Sequence, residues 1–393
     1  MSASLESILE SYNAETPLAE ASTIPGPWYT DERIAALERE YVFGRNWQTV
    51  GRLDQAALPG QYFTAEVAGE PILVARGDDG QLRAFYNVCR HHATAVAWEP
   101  QGTVTNFRCP YHGWTYGLDG SLKGMTDFEG VQCFDRSSHG LVQTQLEVWE
   151  QFVWVNLDPA APRLEDYLGR LIDRVRPLEL GKLQFFERRV YSLKCNWKVY
   201  VDNYLDGGYH VPHMHKGLNS VLDCAHYTIE NAERCTVQSS PVHSTSKSDA
   251  DALATRHGDR SYYLWQYPNF MLNWYEGYLD TNLVLPGGPD GLNVVDRCTV
   301  IFDFYFGDVS EAQSQYNRQS IAVSDRVQGE DTAICESVQK GLRSRAYGAG
   351  RLSVRREAGE HLFHRLLAAD LRRGAITVYH AMRSGKNSET RSS

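Results

Sequence analysis

The sequence has no long apolar run, few cysteines and no excess of positive charge, and each absence excludes a class of protein. No stretch of about 18 apolar residues occurs, so no transmembrane helix and no membrane partner are expected. Eight cysteines in 393 residues are too dilute for a disulfide scaffold. With 39 Lys and Arg against 49 Asp and Glu, the formal net charge is −10, which argues against a general nucleic-acid-binding protein.

Targeting and nucleotide-binding signals are also missing. The N-terminus lacks the basic and apolar regions of a secretory signal. No Gly-rich dinucleotide fingerprint follows a strand and opens a helix, so no flavin or nicotinamide site is expected in the chain. We therefore expect a reducing, cytoplasmic setting, in which closely spaced Cys and His residues bind metal rather than form disulfides.

The organisation of the chain predicts an α+β protein with two domains. Residues 1–44 have an irregular arm and then a helix from about residue 31, predicted to pack on the larger domain. Alternating strands begin near residue 61, and a Pro-rich boundary follows at 158–162. Residues 45–157 are thus predicted to be a small antiparallel β domain inserted in a larger one over 158–383, and residues 384–393 a disordered tail.

The larger domain is predicted to combine strands with long helices. Aromatic-rich strands are expected over about 260–306. A helix is expected over about 309–328, with Gly329 as a break, and a second over about 331–343. In that arrangement Asp331 could serve as the N-cap of the second helix.

The densest local signal lies between residues 89 and 112. Cys89 and His91 form one pair, Cys109 and His112 form another, and 17 residues separate the two pairs. Two thiolates and two imidazoles can hold zinc. They can also hold a [2Fe–2S] cluster in which two His replace two Cys on one iron. Each pair mixes Cys with His in β-rich sequence, which differs from the arrangement in a zinc finger. This pattern favours the cluster over zinc.

This stretch resembles the Rieske domain of Rieske non-haem iron oxygenases. The resemblance rests on Asn87–His91 and on the run from Cys109 to Gly120. It implies that Cys89, His91, Cys109 and His112 bind a Rieske [2Fe–2S] cluster. It also implies that the larger domain has a helix-grip-like fold. His92 is a departure, because the family often has Arg there, and we expect it to lie beside the cluster or at the surface.

A second cluster of metal-binding residues spans 202–215, with three His and two Asp in 14 residues. Two imidazoles and one carboxylate form the facial triad of non-haem Fe(II) oxygenases. The residues alone leave the His pair open, because His210 and His213 share a helix face but Pro212 disturbs the helix. The family has four residues between its two His ligands, which implies His210 and His215, with His213 as a pocket wall.

The third ligand of the triad must come from elsewhere in the chain. The family usually has its carboxylate ligand eight residues before a helical Gln. That spacing points to Asp331, eight residues before Gln339. Glu330 is the alternative.

The resemblance also implies how electrons reach this iron. Members of the family form head-to-tail trimers in which a neighbour's cluster lies beside each iron, and a carboxylate bridges a His on each side. That carboxylate usually lies three residues before the first His ligand, where this chain has Gly207. Asp206 is the nearest replacement and Asp202 the alternative, and Asn203 is grouped with them as a catalytic candidate. Electrons are expected from a separate NAD(P)H-dependent reductase or a ferredoxin.

The resemblance extends from about Trp28 to Leu371, and its nearest branch is that of choline monooxygenase. A quaternary ammonium substrate suits the aromatic-rich segment, because ring faces attract such cations. The predicted pocket residues are Tyr267, Trp274, Tyr275 and His213. The same aromatics also suit a strand core or an aromatic hydrocarbon. An aromatic-ring-hydroxylating α subunit and a non-catalytic zinc or Fe–S protein are therefore the competing hypotheses.

Overall fold

The computed structural model describes residues 3–242, 255–288 and 295–389, with side chains as far as residue 380. It divides into two compact units: Phe43–Tyr167, and Met1–Val42 together with Leu168–Ser393. The smaller unit is therefore an insertion in the chain of the larger one. The mixed α+β class predicted from the sequence is confirmed.

The smaller unit is built from antiparallel β-sheets. Over its described residues, one sheet has the strand order β1-β10-β9-β4-β3-β2-β5 and the other β6-β7-β8. Its strands are β1 (Gln48–Arg52), β2 (Gln61–Val67), β3 (Glu70–Arg76), β4 (Leu82–Tyr86), β5 (Gln101–Thr103), β6 (Phe107–Arg108), β7 (Thr115–Tyr116), β8 (Leu122–Gly124), β9 (Gln143–Trp149) and β10 (Phe152–Asn156).

The larger unit contains one extended antiparallel sheet. In the described part of the chain its strand order is β11-β17-β16-β15-β14-β13-β12. The strands are β11 (Gln184–Leu193), β12 (Thr228–Asn231), β13 (Cys235–Pro241), β14 (Arg260–Gln266), β15 (Phe270–Tyr275), β16 (Tyr278–Pro286) and β17 (Cys298–Phe306). Side chains alternate between the two faces of each strand, so only every second aromatic residue of a strand lies on a given face of the sheet.

Short helices surround the sheets, and two long ones follow them. The helices described are α1 (Leu5–Glu10), α2 (Gly26–Thr30), α3 (Glu32–Leu37), α4 (Leu164–Leu168), α5 (Arg170–Val175), α6 (Trp197–Leu205), α7 (Val211–Met214), α8 (Lys216–Val221), α9 (Ser314–Leu342) and α10 (Ala358–Glu389). A π-helical segment, Glu38–Phe43, continues α3. Among the helices described, none is both long and apolar enough to cross a membrane.

Helix α9 corrects the predicted break at Gly329. The helix runs through that residue without interruption, so Asp331 lies inside a helix and is not an N-cap. A single glycine in a helix interior costs only about 1 kcal/mol, which neighbouring packing can offset. Helix α10 extends to Glu389, past the predicted start of the disordered tail at residue 384. Residues 390–393 lie outside the described part of the chain.

Candidate metal centres and active site

In the smaller unit, two loops bring together the four residues predicted to hold a cluster. Cys89 and His91 follow strand β4, and Cys109 and His112 lie in the turn between β6 and β7. Both cysteines are buried, and the two imidazole rings have centroids 4.7 Å apart. The segment after β4 and the turn between β6 and β7 thus each contribute one thiol and one imidazole to the same site.

The surroundings of these four residues fit an iron–sulfur cluster. The Nδ1 atom of His91 is buried without a hydrogen-bond partner in the described structure, as expected of a nitrogen that waits for a metal. The Tyr116 hydroxyl lies 3.3 Å from the Cys89 sulfur. Burial raises the pKa of the Cys109 thiol, while the backbone N–H groups of Tyr111 and His112 lower it. Such N–H donors stabilise sulfur once it carries charge.

His92 lies beside this centre, as the sequence suggested. Its ring centroid is 4.1 Å from that of His91, and the ligand nitrogens of His91, His92 and His112 all lie within 4.8 Å of one another. The side chain of His92 is exposed. Since the two buried thiols belong with His91 and His112, His92 is left as a neighbour at the surface.

In the larger unit, His210, His215 and Asp331 converge on one point. Their ligand atoms lie within 4.8 Å of one another. The Nε2 atom of His215 is 3.1 Å from the Asp331 carboxylate, and that of His210 is 3.8 Å from it. His210 immediately precedes α7, His215 lies between α7 and α8, and the middle of α9 supplies the carboxylate. The donor set matches the facial triad that holds non-haem Fe(II) and leaves coordination positions open.

Each of the two histidines is hydrogen-bonded to a carboxylate through its Nδ1 atom, on the side of the ring away from Asp331. The His210 Nδ1–H donates to Asp206 at 2.6 Å, and the His215 Nδ1–H donates to Glu330 at 2.6 Å. These bonds fix the tautomer that leaves both Nε2 atoms free for a metal. Asn203 completes the arrangement by donating to Asp331 at 2.8 Å. Glu330, the alternative ligand in the sequence, therefore lies behind a histidine and does not face the shared point.

The charge around His215 is strongly negative. Burial by itself lowers the pKa of His215, but the hydrogen bonds and charges of Asp331 and Glu330 outweigh burial and raise the pKa. The same two carboxylates favour a divalent cation at this point, because the cation neutralises charge that burial makes costly.

The turn after α6 explains why this chain lacks a carboxylate at position 207. Gly207 and Gly208 have φ values of +67° and +66°, which side chains rarely adopt. A Cβ atom at Gly207 would lie 2.1 Å from the backbone oxygen of Arg356. Only glycine fits there, and the carboxylate at Asp206 reaches His210 from one residue earlier.

Asp202, the alternative to Asp206, belongs to a different cluster. It accepts a hydrogen bond from the Tyr29 hydroxyl at 2.5 Å and lies 3.0 Å from the Nε2 atom of His364. Glu360, which is fully buried, is 3.8 Å from the same His364 nitrogen. In the described structure Asp202 makes no hydrogen bond or ion pair to His210 or His215, whereas Asp206 contacts His210 directly.

A cavity opens beside the triad, and it contains only one of the four predicted pocket residues. Tyr275 lines it. His213 is exposed on α7 and does not line it. Trp274 is adjacent to Tyr275 on β15 and therefore points to the opposite face, where it packs on Tyr262. Tyr267 is a core residue that donates to Asp370 at 2.9 Å. The prediction that His213, Trp274 and Tyr267 line the pocket is therefore wrong.

Most of the residues that line this cavity were not predicted from the sequence. Tyr204, Tyr227, Tyr263, Asn273, Asp280 and Asn282 are among them. Strand alternation could have selected residues of the same parity as Tyr275, such as Tyr263 and Asn273. The local sequence could not show that Tyr204 and Tyr227 line the same cavity, because Tyr204 lies on α6 and Tyr227 lies just before β12.

Known protein families match both units. The family described as "Rieske [2Fe-2S] domain" matches residues 46–135, and "Ring hydroxylating alpha subunit (catalytic domain)" matches residues 180–372. The first match covers the cluster loops, and the second covers the triad and its cavity. A zinc finger and a non-catalytic Fe–S protein are therefore not supported.

Individual relatives resemble the chain over nearly its whole length. Choline monooxygenase, chloroplastic, of Arabidopsis thaliana is 38% identical over 94% of this chain and 87% of its own length. The carnitine monooxygenase oxygenase subunit of Escherichia coli (strain K12) is 34% identical over 89% of this chain and 94% of its own. A solved quaternary ammonium Rieske monooxygenase superposes with a TM-score of 0.81 at 30% identity, covering 92% of this chain and 98% of its own.

These similarities agree with the geometry of both metal centres. The cofactors are a Rieske [2Fe–2S] cluster and a mononuclear iron. The chain belongs to the Rieske non-haem iron monooxygenases, in the family that contains choline monooxygenase and carnitine monooxygenase.

Proposed function

We propose that this monooxygenase uses O2 and externally supplied electrons to hydroxylate a small quaternary ammonium compound, such as choline or a betaine. The observation that carries the proposal is a cavity with the His210–His215–Asp331 triad on one side and tyrosine rings on the other. The relatives are named for choline and carnitine, which are both quaternary ammonium compounds.

The residues have separate tasks in this proposal. His210, His215 and Asp331 would hold the mononuclear iron, which activates O2 so that one oxygen atom enters a substrate C–H bond and the other leaves as water. Asp206 and Glu330 hold the histidine tautomers, and Asn203 orients Asp331. Cys89, His91, Cys109 and His112 would hold the cluster.

The tyrosines would bind a cation through their ring faces, since the phenol groups themselves stay uncharged. Burial raises the pKa of Tyr227, Tyr263 and Tyr275 above the ordinary value. Their ring faces therefore attract a cation through the π quadrupole, at about 0.5–2 kcal/mol for each ring. The hydrocarbon parts of the rings also favour methyl groups over water.

Oxygen uptake tests the substrate class. We expect the reconstituted enzyme with a reductase to consume O2 with choline, L-carnitine or another quaternary ammonium compound and to release a hydroxylated or dealkylated product. Aromatic acids and naphthalene serve as the comparison, because an aromatic substrate would suit the same rings. Turnover of an aromatic compound but of no ammonium compound would refute the proposal.

Electron delivery is part of the same proposal. We expect a separate NAD(P)H-dependent reductase or ferredoxin to reduce the cluster, and a homotrimer in which a neighbouring subunit's cluster serves each iron. A similar solved structure is described in terms of inter-subunit electron transfer.

Asp206 is the residue that we propose to link the cluster to the iron. In Asp206→Asn the side chain still accepts a hydrogen bond from His210, so both metals should remain bound. The loss of its charge should slow reoxidation of the cluster by about 10- to 100-fold, the usual cost of changing a partner of a metal ligand. Stopped-flow absorbance of the pre-reduced enzyme measures this rate. A normal rate in Asp206→Asn, with Glu330→Gln as the matched comparison, would exclude Asp206 as the link.

A further inference from the structure

The wall of the cavity opposite the triad is one face of the large sheet. Tyr263 on β14 pairs with Asn273 on β15, and Asn273 pairs with Asp280 on β16. Paired residues point to the same face of a sheet, so these three side chains line the cavity together. Asp280 is thus a carboxylate in the substrate pocket that takes no part in holding the metal.

Asp280 is held rigidly by uncharged donors. Its Oδ1 atom accepts hydrogen bonds from Asn273 at 2.7 Å and from Asn282 at 2.9 Å. Its Oδ2 atom accepts one from Tyr278 at 2.7 Å. Desolvation makes a charged carboxylate costly here and raises its pKa. The charge of the buried Arg256 and these hydrogen bonds lower the pKa again without cancelling the effect of burial. A cation entering the cavity would relieve the part of the cost that remains.

Three tyrosines stand beside this carboxylate in the arrangement of a partial box. The rings of Tyr227 and Tyr263 are nearly parallel, with an interplanar angle of 11° and centroids 6.4 Å apart. The ring of Tyr275 is nearly perpendicular to that of Tyr263, at 86° and 6.1 Å. We call Tyr227, Tyr263 and Tyr275 the tyrosine box. The guanidinium of Arg256 lies 5.3 Å from the Tyr275 ring centroid. That of Arg356 lies 5.8 Å from the Tyr227 ring centroid. A trimethylammonium group would therefore pack on the other faces of these rings and on Tyr263.

The cavity also contains a buried arginine whose two terminal nitrogens are already hydrogen-bonded. Arg256 is the one Lys or Arg among the described lining residues. Its Nη1 atom donates to Ser320 at 2.5 Å, and its Nη2 atom donates to Ser324 at 2.8 Å and to Tyr278 at 3.3 Å. Helix α9 and the sheet thus hold both terminal nitrogens. A substrate carboxylate would have to displace these bonds to gain a cationic partner.

We propose that Asp280 and the tyrosine box bind the ammonium head of the substrate, so that the enzyme selects ammonium compounds with an uncharged tail, such as choline, over those with a carboxylate. A substrate carboxylate would find no free cationic donor among the described lining residues and would lie in a cavity with Asp280 and Asp331. This inference rests on the proposed function and narrows its substrate class.

Kinetics with matched compounds test the inference in the unmodified holoenzyme. Choline and 3,3-dimethylbutan-1-ol have the same shape, but only choline carries a charge. We expect kcat/KM for choline to exceed that of the neutral alcohol by about 30-fold or more, because the neutral alcohol has no charge to interact with the buried Asp280. Glycine betaine and L-carnitine should be poorer substrates than choline by a similar factor.

The variant Asp280→Asn assigns the effect to one residue. It should raise KM for choline with little change in kcat and should leave the neutral alcohol unaffected. Glu276→Gln is the matched control, because Glu276 is an exposed carboxylate next to Tyr275 and does not line the cavity. Calorimetry with tetramethylammonium, which is the head alone, should show the same loss of binding in Asp280→Asn, and the visible spectrum of the cluster checks that the variant is folded.

The outcomes separate this inference from the proposed function. Equal kcat/KM for choline and L-carnitine would overturn the selection for an uncharged tail, while quaternary ammonium oxidation would still stand. An unchanged preference for choline over the neutral alcohol in Asp280→Asn would overturn the role of Asp280. Failure to oxidise any ammonium compound would instead refute the proposed function itself.

Discussion

Replacing His215 with alanine should remove the mononuclear iron and leave the Rieske cluster intact. The His215 side chain is almost completely buried, and its Nε2 atom faces Asp331. Altering even a hydrogen-bond partner of a metal ligand costs about 10- to 100-fold, so loss of the ligand should reduce turnover by more than about 100-fold. Iron analysis should fall from three atoms per chain to two, with the visible spectrum of the [2Fe–2S] cluster unchanged.

His213→Ala is the matched control for this prediction. His213 is exposed, two residues from His215 and three from His210, and it does not line the cavity. We expect this variant to keep all its iron and its activity. If His213→Ala removes the mononuclear iron and His215→Ala does not, the ligand pair is His210 and His213, which is the pair that helical spacing alone would also allow.

Replacing His112 with alanine should have the opposite effect on the metals. His112 lies 4.7 Å from His91 between ring centroids, on the exposed side of the cluster loops. Without one of its four ligands the cluster should be lost, and the visible absorption and reductase-dependent O2 uptake should disappear with it. The mononuclear iron should remain, since the triad belongs to a separate unit of the chain.

His92→Ala separates ligation by His112 from general disturbance of the loop. The His92 ring lies beside those of His91 and His112, with centroids 4.1 Å and 5.2 Å away. We expect this variant to keep the cluster spectrum, with at most a shift in reduction potential. Loss of the cluster in His92→Ala together with its survival in His112→Ala would reassign the second imidazole ligand.

The two metal centres could largely be predicted before the fold was known. Cys89, His91, Cys109 and His112 are close in sequence, and thiol and imidazole groups in such pairs have few other uses. The family resemblance supplied what spacing left open, namely His215 in place of His213 and Asp331 in place of Glu330. The structure adds that Glu330 supports His215 and that Asp206 supports His210.

The substrate cavity could not be predicted in the same way. Trp274 and Tyr275 are adjacent and equally aromatic, but alternation on β15 sends only Tyr275 into the cavity. Nothing in the local sequence indicated that Asp280 lines the cavity, because this follows only from the strand register that pairs it with Asn273. The predicted break at Gly329 was wrong, because the penalty for one glycine is smaller than the packing that holds α9 together.

The local sequence was therefore enough to indicate two metal centres, because each His-containing ligand pair is a short segment with its own donor atoms, and the family resemblance indicated which metals they hold. The side chains that line the cavity come from α6, β14, β15, β16 and the region before β12, among others, which are far apart in the chain. Only strand register and helix packing determine which of their side chains share a cavity, since both depend on long-range contacts that no short segment encodes.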